Sequence, residues 1–299
     1  MKILVAGGSG DIGSAVVSAL KGRHEVSILD RQPSADHPEL GLLKVDLENA
    51  RMTASLVRGF DCLVHLAAIP DPFSDPGDVV FRVNMQATYN LLEAARSNRI
   101  ARVVYGCSES ASGFGIHNRR FKPDYFPIDE SHPSLPHEAY GSSKLLGEIL
   151  GRQYAFAYDI EFISLRYAWA WGGRRNREDW FRILRHGSGG GEKDWLGAWI
   201  AHADIAQAAR LACEYQFPDP PPRFESFYLT SRDNFTDLDS LDLVAKHWPQ
   251  NPPRVRKPGL YRKNPRASLF DISKARRLLG YEPTTGVGDL REQFGIKRQ

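Results

Sequence analysis

The 299-residue sequence predicts an α/β fold, a doubly wound parallel sheet with a small C-terminal lobe. Three observations carry that expectation. Short apolar runs suited to buried strands recur at 2–6, 25–29, 42–45, 62–66, 101–105 and 160–165. Stretches with apolar residues at helical spacing alternate with them, most clearly at 78–97 and 138–158. The first strand runs into a helix at 14–21 through a glycine-rich turn, Gly7-Gly8-Ser9-Gly10-Asp11-Ile12-Gly13.

That turn has a chemical reading. Glycines at 7, 10 and 13 permit a tight turn, close approach of backbone to a pyrophosphate, and close helix packing. The helix N-terminus, with Asp11 and Ile12 at its start, offers N–H groups to the anion. Strand, glycine turn and helix in this order make a Rossmann-type dinucleotide site. The second strand closes on Asp30, where a carboxylate accepts hydrogen bonds from an adenosine ribose, and this favours NAD. Arg31 follows directly and suits a 2′-phosphate, so NADP stays open. A third strand closes on Asp46-Leu47, and a fourth runs through Leu66 to Ala67-Ala68, small residues that let a flat cofactor approach. His65 in that strand reads as a structural core histidine.

Composition narrows the function classes. Hydrophobic residues make up 42% and charged residues 25%, ordinary globular usage that argues against disorder. A net charge of +3, with Lys and Arg scattered, gives a nucleic-acid role little support. No apolar run approaches a membrane span, and Met1-Lys2 leads straight into a strand without a signal-type apolar region. The expectation is a cytoplasmic protein. Cys62, Cys107 and Cys213 lie far apart, so neither disulfides nor a metal site is expected, and the three read as small buried hydrophobes.

Further along, Cys107-Ser108-Glu109-Ser110-Ala111-Ser112 is a polar stretch at the carboxyl end of the fifth strand, where open α/β sheets bind ligands. Tyr140-Gly-Ser-Ser-Lys144 falls on the helix at 138–158, and its spacing puts phenol and ammonium on one face. A lysine cation held there favours the phenolate and makes Tyr140 a usable proton acceptor. Beyond Arg166 the pattern loosens into an aromatic, Gly-rich segment at 167–173, and Pro-rich stretches at 217–222 and 249–258. A helix at 204–214 and a strand at 227–230 lie between these stretches. No clean linker isolates the last third. Residues 1–166 are therefore read as the dinucleotide-binding core and 167–299 as mainly a substrate-binding lobe, interleaved with the last elements of the core.

Together these pieces resemble the extended short-chain dehydrogenase/reductase family, the NAD-dependent epimerase/dehydratase group, over nearly the full chain. The resemblance rests on a set: the glycine turn, Asp30, Asp46-Leu47, His65-Leu-Ala-Ala68, Asn84, the serine cluster, Tyr140-x-x-x-Lys144, Ala198-Trp-Ile-Ala-His-Ala-Asp204 and Ser273-Lys-Ala-Arg-Arg-Leu-Leu-Gly-Tyr-Glu-Pro283. It implies that Tyr140 is the catalytic acid/base, that Lys144 holds the cofactor ribose, and that Ser110 hydrogen-bonds the substrate oxygen, with Ser112 as the rival for that role. It also implies that Asp46 meets the adenine amine and that Ala67, Ala68 and Asn84 shape the cofactor channel. A homodimer through the Tyr140 helix and the one before it is expected, with Leu145, Leu146, Ile149 and Leu150 offering an apolar surface.

The departures bear on substrate. Nucleotide-sugar members carry an Asn where this chain has Trp169, and an indole has a single donor and no amide geometry. Glu109 places a carboxylate beside the serines, which sits awkwardly with a polyanionic substrate. The segment from Gly173 to Trp195 is short for a nucleotide-base pocket. Uronate dehydrogenases lack that Asn and use an arginine nearby to meet a carboxylate, and Arg174, Arg175 or Arg177 suits this role. The reading is an NAD-dependent dehydrogenase of a free sugar or sugar acid. A nucleotide-sugar epimerase or dehydratase is the alternative within the enzyme class, and an NAD-sensing regulatory protein the one outside it.

Overall fold

The computed structural model describes residues 1–115, 121–175, 177–188, 196–219 and 223–297. Its strands form where apolar runs can be buried on both faces, as a parallel sheet requires. In chain order the elements begin β1 (Lys2–Ala6), α1 (Asp11–Leu20), β2 (Glu25–Asp30), β3 (Leu42–Lys44), α2 (Ala50–Leu56), β4 (Cys62–His65), α3 (Gly77–Ser97) and β5 (Arg102–Ser108). A 3-10 turn (Glu109–Ser112), β6 (Tyr125–Phe126), α4 (Ala139–Ala157) and β7 (Glu161–Tyr167) follow. Next come β8 (Trp169–Trp171), α5 (Arg177–His186), β9 (Trp199–Ala201), α6 (His202–Glu214) and β10 (Phe224–Leu229). The chain ends in α7 (Ser240–His247), β11 (Arg254–Val255), α8 (Pro258–Lys263), a π-helical turn (Ala275–Leu279) and α9 (Val287–Gln293).

Seven strands pair in the order β10-β7-β5-β4-β1-β2-β3, all parallel. The chain leaves β1 in one direction and β4 in the other, so the order reverses between these neighbours. Alternate residues of β1 serve opposite layers: Ile3 and Val5 pack with α1 and α6, Leu4 and Ala6 with α2, α3 and α4. Both sides are fully buried. Short parallel pairs β8-β9 and β6-β11 lie outside the main sheet. A separate aromatic cluster of Trp171, Trp180, Trp199 and Phe235, with Val287 and Leu290, binds β8, β9, α5 and α9 together. The fully buried Asp204 closes α6 onto the C-terminal segment by accepting from the Thr284 N–H and hydroxyl and from the Thr285 N–H.

Five helices, α2, α5, α7, α8 and α9, were not read from the sequence, and two of them show why. Helix α2 is only seven residues long and is started by Asn49, whose side chain caps Met52 N–H at 3.1 Å. Helix α5 lies in a charged stretch for which no element was expected, yet Trp180, Ile183 and Leu184 share one buried face at helical spacing. The fifth strand also runs three residues past its apolar stretch, to Ser108. Of the Pro-rich stretch at 217–222, residues 220–222 lie outside the described residues, as do 189–195 of the segment before Trp195.

Helix α4 lies close to the sheet because two glycines face it. A Cβ on Gly147 would stand 2.4 Å from the Tyr105 hydroxyl, and one on Gly151 2.0 Å from the Phe162 ring. Between them Glu148 holds a buried ion pair in which Arg166 donates to it at 2.6 and 2.9 Å, with Ser164 adding a bond of 2.6 Å. Gly151→Ala should therefore destabilise the protein by about 1–3 kcal/mol through overpacking, although alanine is the better helix former. Thermal unfolding measures this, and a raised midpoint would show that helix propensity outweighs the contact.

Candidate active site

The glycine turn is shaped for close backbone approach. Gly7 has φ +84°, and a Cβ there would lie 2.6 Å from Ala67 N; one on Gly13 would lie 2.0 Å from Gly7 O. Gly10 is less crowded, its missing Cβ meeting only Gly7 O, at an ordinary contact distance of 3.5 Å, at the start of α1. Leu66 and Ala67 both donate to Ala6 O, which seats the end of β4 beside this turn. Ile12 packs against the core and Asp11 caps the outer edge. Asp30 at the end of β2 accepts from Ser9 N–H at 3.1 Å and Arg31 N–H at 2.6 Å, while the Arg31 side chain is exposed. Asp46 is exposed, and Leu47 O accepts from Asn90. Asn84 holds both backbone groups of Ile69 and donates to Ser143 at 3.1 Å, tying the loop after Ala68 to α3 and α4.

Tyr140 and Lys144 are nearly fully buried on α4, whose start is capped by Glu138 accepting from Tyr140 and Gly141 N–H at 2.6 Å each. Lys144 donates to Gly106 O at 2.7 Å and lies 5.7 Å from the centre of the Tyr140 ring. Burial pushes the Tyr140 phenol well above its ordinary value, an effect the Ser108 hydroxyl beside it opposes. Burial also pulls Lys144 down to about 8. His65 is the buried, neutral core residue expected, lowered to about 3 by burial and then by Lys144, with its ring bonded to Thr88 at 3.0 Å.

The three serines do different things. Ser110 is buried in the 3-10 turn, its N–H donating to Ser108 Oγ at 3.1 Å and its own hydroxyl lying toward Gly115. Ser112 spends its hydroxyl inside the turn, donating to Glu109 O at 2.5 Å and accepting from Phe114 N–H. Ser108 is the hydroxyl that faces the phenol, and sequence reasoning passed over it. The sequence put Ser108 with the other serines at the carboxyl end of β5 and assigned the substrate contact to Ser110 or Ser112; nothing in the spacing singles out Ser108 as the hydroxyl beside the phenol.

Glu109 is buried, and desolvation raises its carboxyl to about 8, against a hydrogen bond from Trp169 N–H. It is therefore a neutral acid at pH 7, which removes the objection its charge raised to an anionic substrate. Trp169 itself is half-buried, its ring edge-on to Trp171 and Phe235. The arginines are engaged elsewhere than expected. Arg174 is tied to Asp11 and Asp36, Arg175 to Asp11, Asp71 and Ser74, and Arg177 stacks over Phe181 and Phe294.

The lysine shift yields a pH dependence. The folded protein sheds the Lys144 proton more readily than the unfolded chain, so the cost of the buried cation is full below about 8 and disappears as pH rises to 10.5. Without cofactor, Lys144→Met should raise the unfolding midpoint at pH 7, and the gain should shrink across that window. A gain that does not change with pH would contradict the assignment.

Comparison with known proteins places this geometry. The sequence model of the NAD dependent epimerase/dehydratase family matches residues 3–216, which hold the glycine turn, the serine turn, Tyr140 and Lys144. The L-arabinose 1-dehydrogenase (NAD(P)(+)) of Haloferax volcanii is 28% identical over 228 residues, covering 74% of this chain and 85% of its own length. The UDP-glucose 4-epimerase of Streptococcus mutans is 28% identical over 318 residues, covering 95% and 92%. A solved mutated uronate dehydrogenase shares the fold with TM-score 0.64 at 23% identity, over 99% of this chain and 86% of that one. A family match that spans both the nucleotide turn and the tyrosine helix makes the chain an NAD-dependent enzyme belonging to the NAD dependent epimerase/dehydratase family.

Proposed function

We propose that this enzyme is a dehydrogenase that moves hydride between NAD and a secondary alcohol or carbonyl of a free sugar or sugar acid. The observation that carries the proposal is the buried meeting of Tyr140, Lys144, Ser108 and Ser110 at the carboxyl end of β5, beside the glycine turn. The turn fits a dinucleotide: side chains are excluded at Gly7 and Gly13, and the less crowded Gly10 suits a pyrophosphate. Asp30 suits the adenosine ribose. When bound, NAD supplies the hydride acceptor.

The chain's own residues handle the proton. Ser108 and Ser110 orient the substrate oxygen by hydrogen bonding, and the Tyr140 oxygen takes the hydroxyl proton. The Lys144 cation favours the phenolate against the cost of burial. For substrate, Trp169 offers an aromatic face and one N–H donor where nucleotide-sugar members of the family carry an amide. The epimerase reading is favoured by a different observation, the S. mutans UDP-glucose 4-epimerase, which aligns with 95% of the chain.

The assembly proposed is a homodimer. Leu145 and Leu150 pack against the core, whereas Leu146 and Ile149 of α4 remain exposed, together with Phe156 and with Phe81 and Tyr89 of α3. These residues form the face that pairing of α3 and α4 would cover. No helix among the described residues is long and apolar enough to cross a membrane.

Tyr140→Phe is expected to lower NAD reduction by at least about 100-fold in an assay against L-arabinose, uronic acids and UDP-glucose, while NAD affinity changes little. Unchanged turnover would remove Tyr140 from the chemistry. Interconversion of UDP-glucose and UDP-galactose without net NAD reduction would favour the epimerase reading. In calorimetric titration NAD should bind more tightly than NADP because the Asp30 carboxylate would repel a 2′-phosphate, and the reverse order would transfer that role to Arg31.

A further inference from the structure

Residues 173–175, after β8, are fastened to the start of α1 at the glycine turn and to the loops after β2 and β4. Three carboxylates receive them. Asp11 begins α1, Asp36 follows β2 and Asp71 follows β4, so they bracket the point where strand order reverses between β1 and β4. Arg174 donates to Asp11 at 2.9 Å and to Asp36 at 3.2 Å, while the Arg175 N–H donates to Asp11 at 2.7 Å. The Arg175 guanidinium reaches Asp71 and, at 3.0 Å, Ser74. Gly173 is pressed so near that a Cβ would stand 2.7 Å from the Asp11 carboxylate and 2.3 Å from the His202 ring.

The receiving groups are preorganised. Asp71 accepts from Phe73 N–H and Ser74 N–H at 2.7 Å and from the Ser74 hydroxyl at 2.8 Å. Partial burial raises both the Asp11 and Asp71 carboxyls, yet these hydrogen bonds and the arginines hold each below its usual value. Arg174 and Arg175 are themselves 59% and 47% exposed, so the pairs form at the surface, where salt weakens them.

We propose that Arg174 and Arg175 clasp residues 172–175 over the cofactor cleft, and that opening this clasp limits how fast the nicotinamide cofactor leaves. Two physical effects combine. The clasp is a barrier across the exit, and its guanidinium groups neutralise carboxylates that would otherwise repel the pyrophosphate. The inference rests on the reading of the glycine turn as the dinucleotide site.

The test is NADH release from the full-length protein, followed by stopped-flow fluorescence. At low salt the Arg174→Ala/Arg175→Ala variant should release NADH about tenfold faster or more. Asp71→Asn leaves both arginines in place and also removes a carboxylate that would repel the pyrophosphate, so the faster release expected from it reports loss of the barrier, and unchanged or slower release would overturn the clasp. Added salt should speed release from the unaltered protein and change the double variant much less. Equal release rates in the three proteins at low salt would overturn the clasp. Failure of the unaltered protein to bind NADH would instead overturn the dinucleotide site itself.

Discussion

The closeness of helix α4 to strands β5 and β7 is the constraint on which the rest of the site depends. Gly147 and Gly151 remove the side chains that would hold the helix off Tyr105 and Phe162. The Glu148–Arg166 pair, with Ser164 and with Tyr228 at 3.0 Å, then locks the helix along its axis. A buried pair of this kind adds little net stability, but breaking it leaves a charge with no partner, so it selects one register. Lys144 lies one turn before Glu148 and Tyr140 one turn before that. Their positions over Gly106 and Ser108 follow from the same register.

That placement sets two electrostatic effects against each other. Burial disfavours both the tyrosinate and the lysine cation, so the phenol is pushed up and the ammonium down. Lys144 nevertheless remains mainly charged at pH 7, since it is lowered only to about 8. Its cation and the Ser108 hydroxyl favour the tyrosinate, and NAD, when bound, would add the positive charge of its oxidised ring. In the proposed function proton acceptance by Tyr140 would therefore belong to the loaded enzyme, since burial without cofactor pushes the phenol up.

Much of this was legible because it obeys local rules. The six strands of the first half, the glycine turn and the long helices follow from apolar periodicity and from glycine's freedom, and Tyr140 and Lys144 share a face by spacing alone. What stayed hidden depends on partners distant in sequence. Ser108 is visible as one of three serines after the fifth strand, but that it is the one beside the phenol depends on how α4 packs against β5. Arg174 reads as a free cation until Asp11 is brought against it from 163 positions away. Glu109 reads as an anion until burial neutralises it. Helix α5 was obscured by its charge, although Trp180, Ile183 and Leu184 carry a helical stripe.

The central claim is that the α4 register makes Tyr140 a proton acceptor once NAD is bound. The direct measurement is an ultraviolet difference titration of tyrosine ionisation in the NAD complex, comparing the protein with its Tyr140→Phe variant. The expected result is one phenolate, absent from the variant, that forms well below the ordinary tyrosine value of about 10. If no tyrosine lost in the variant ionises below that value with NAD bound, the account is contradicted.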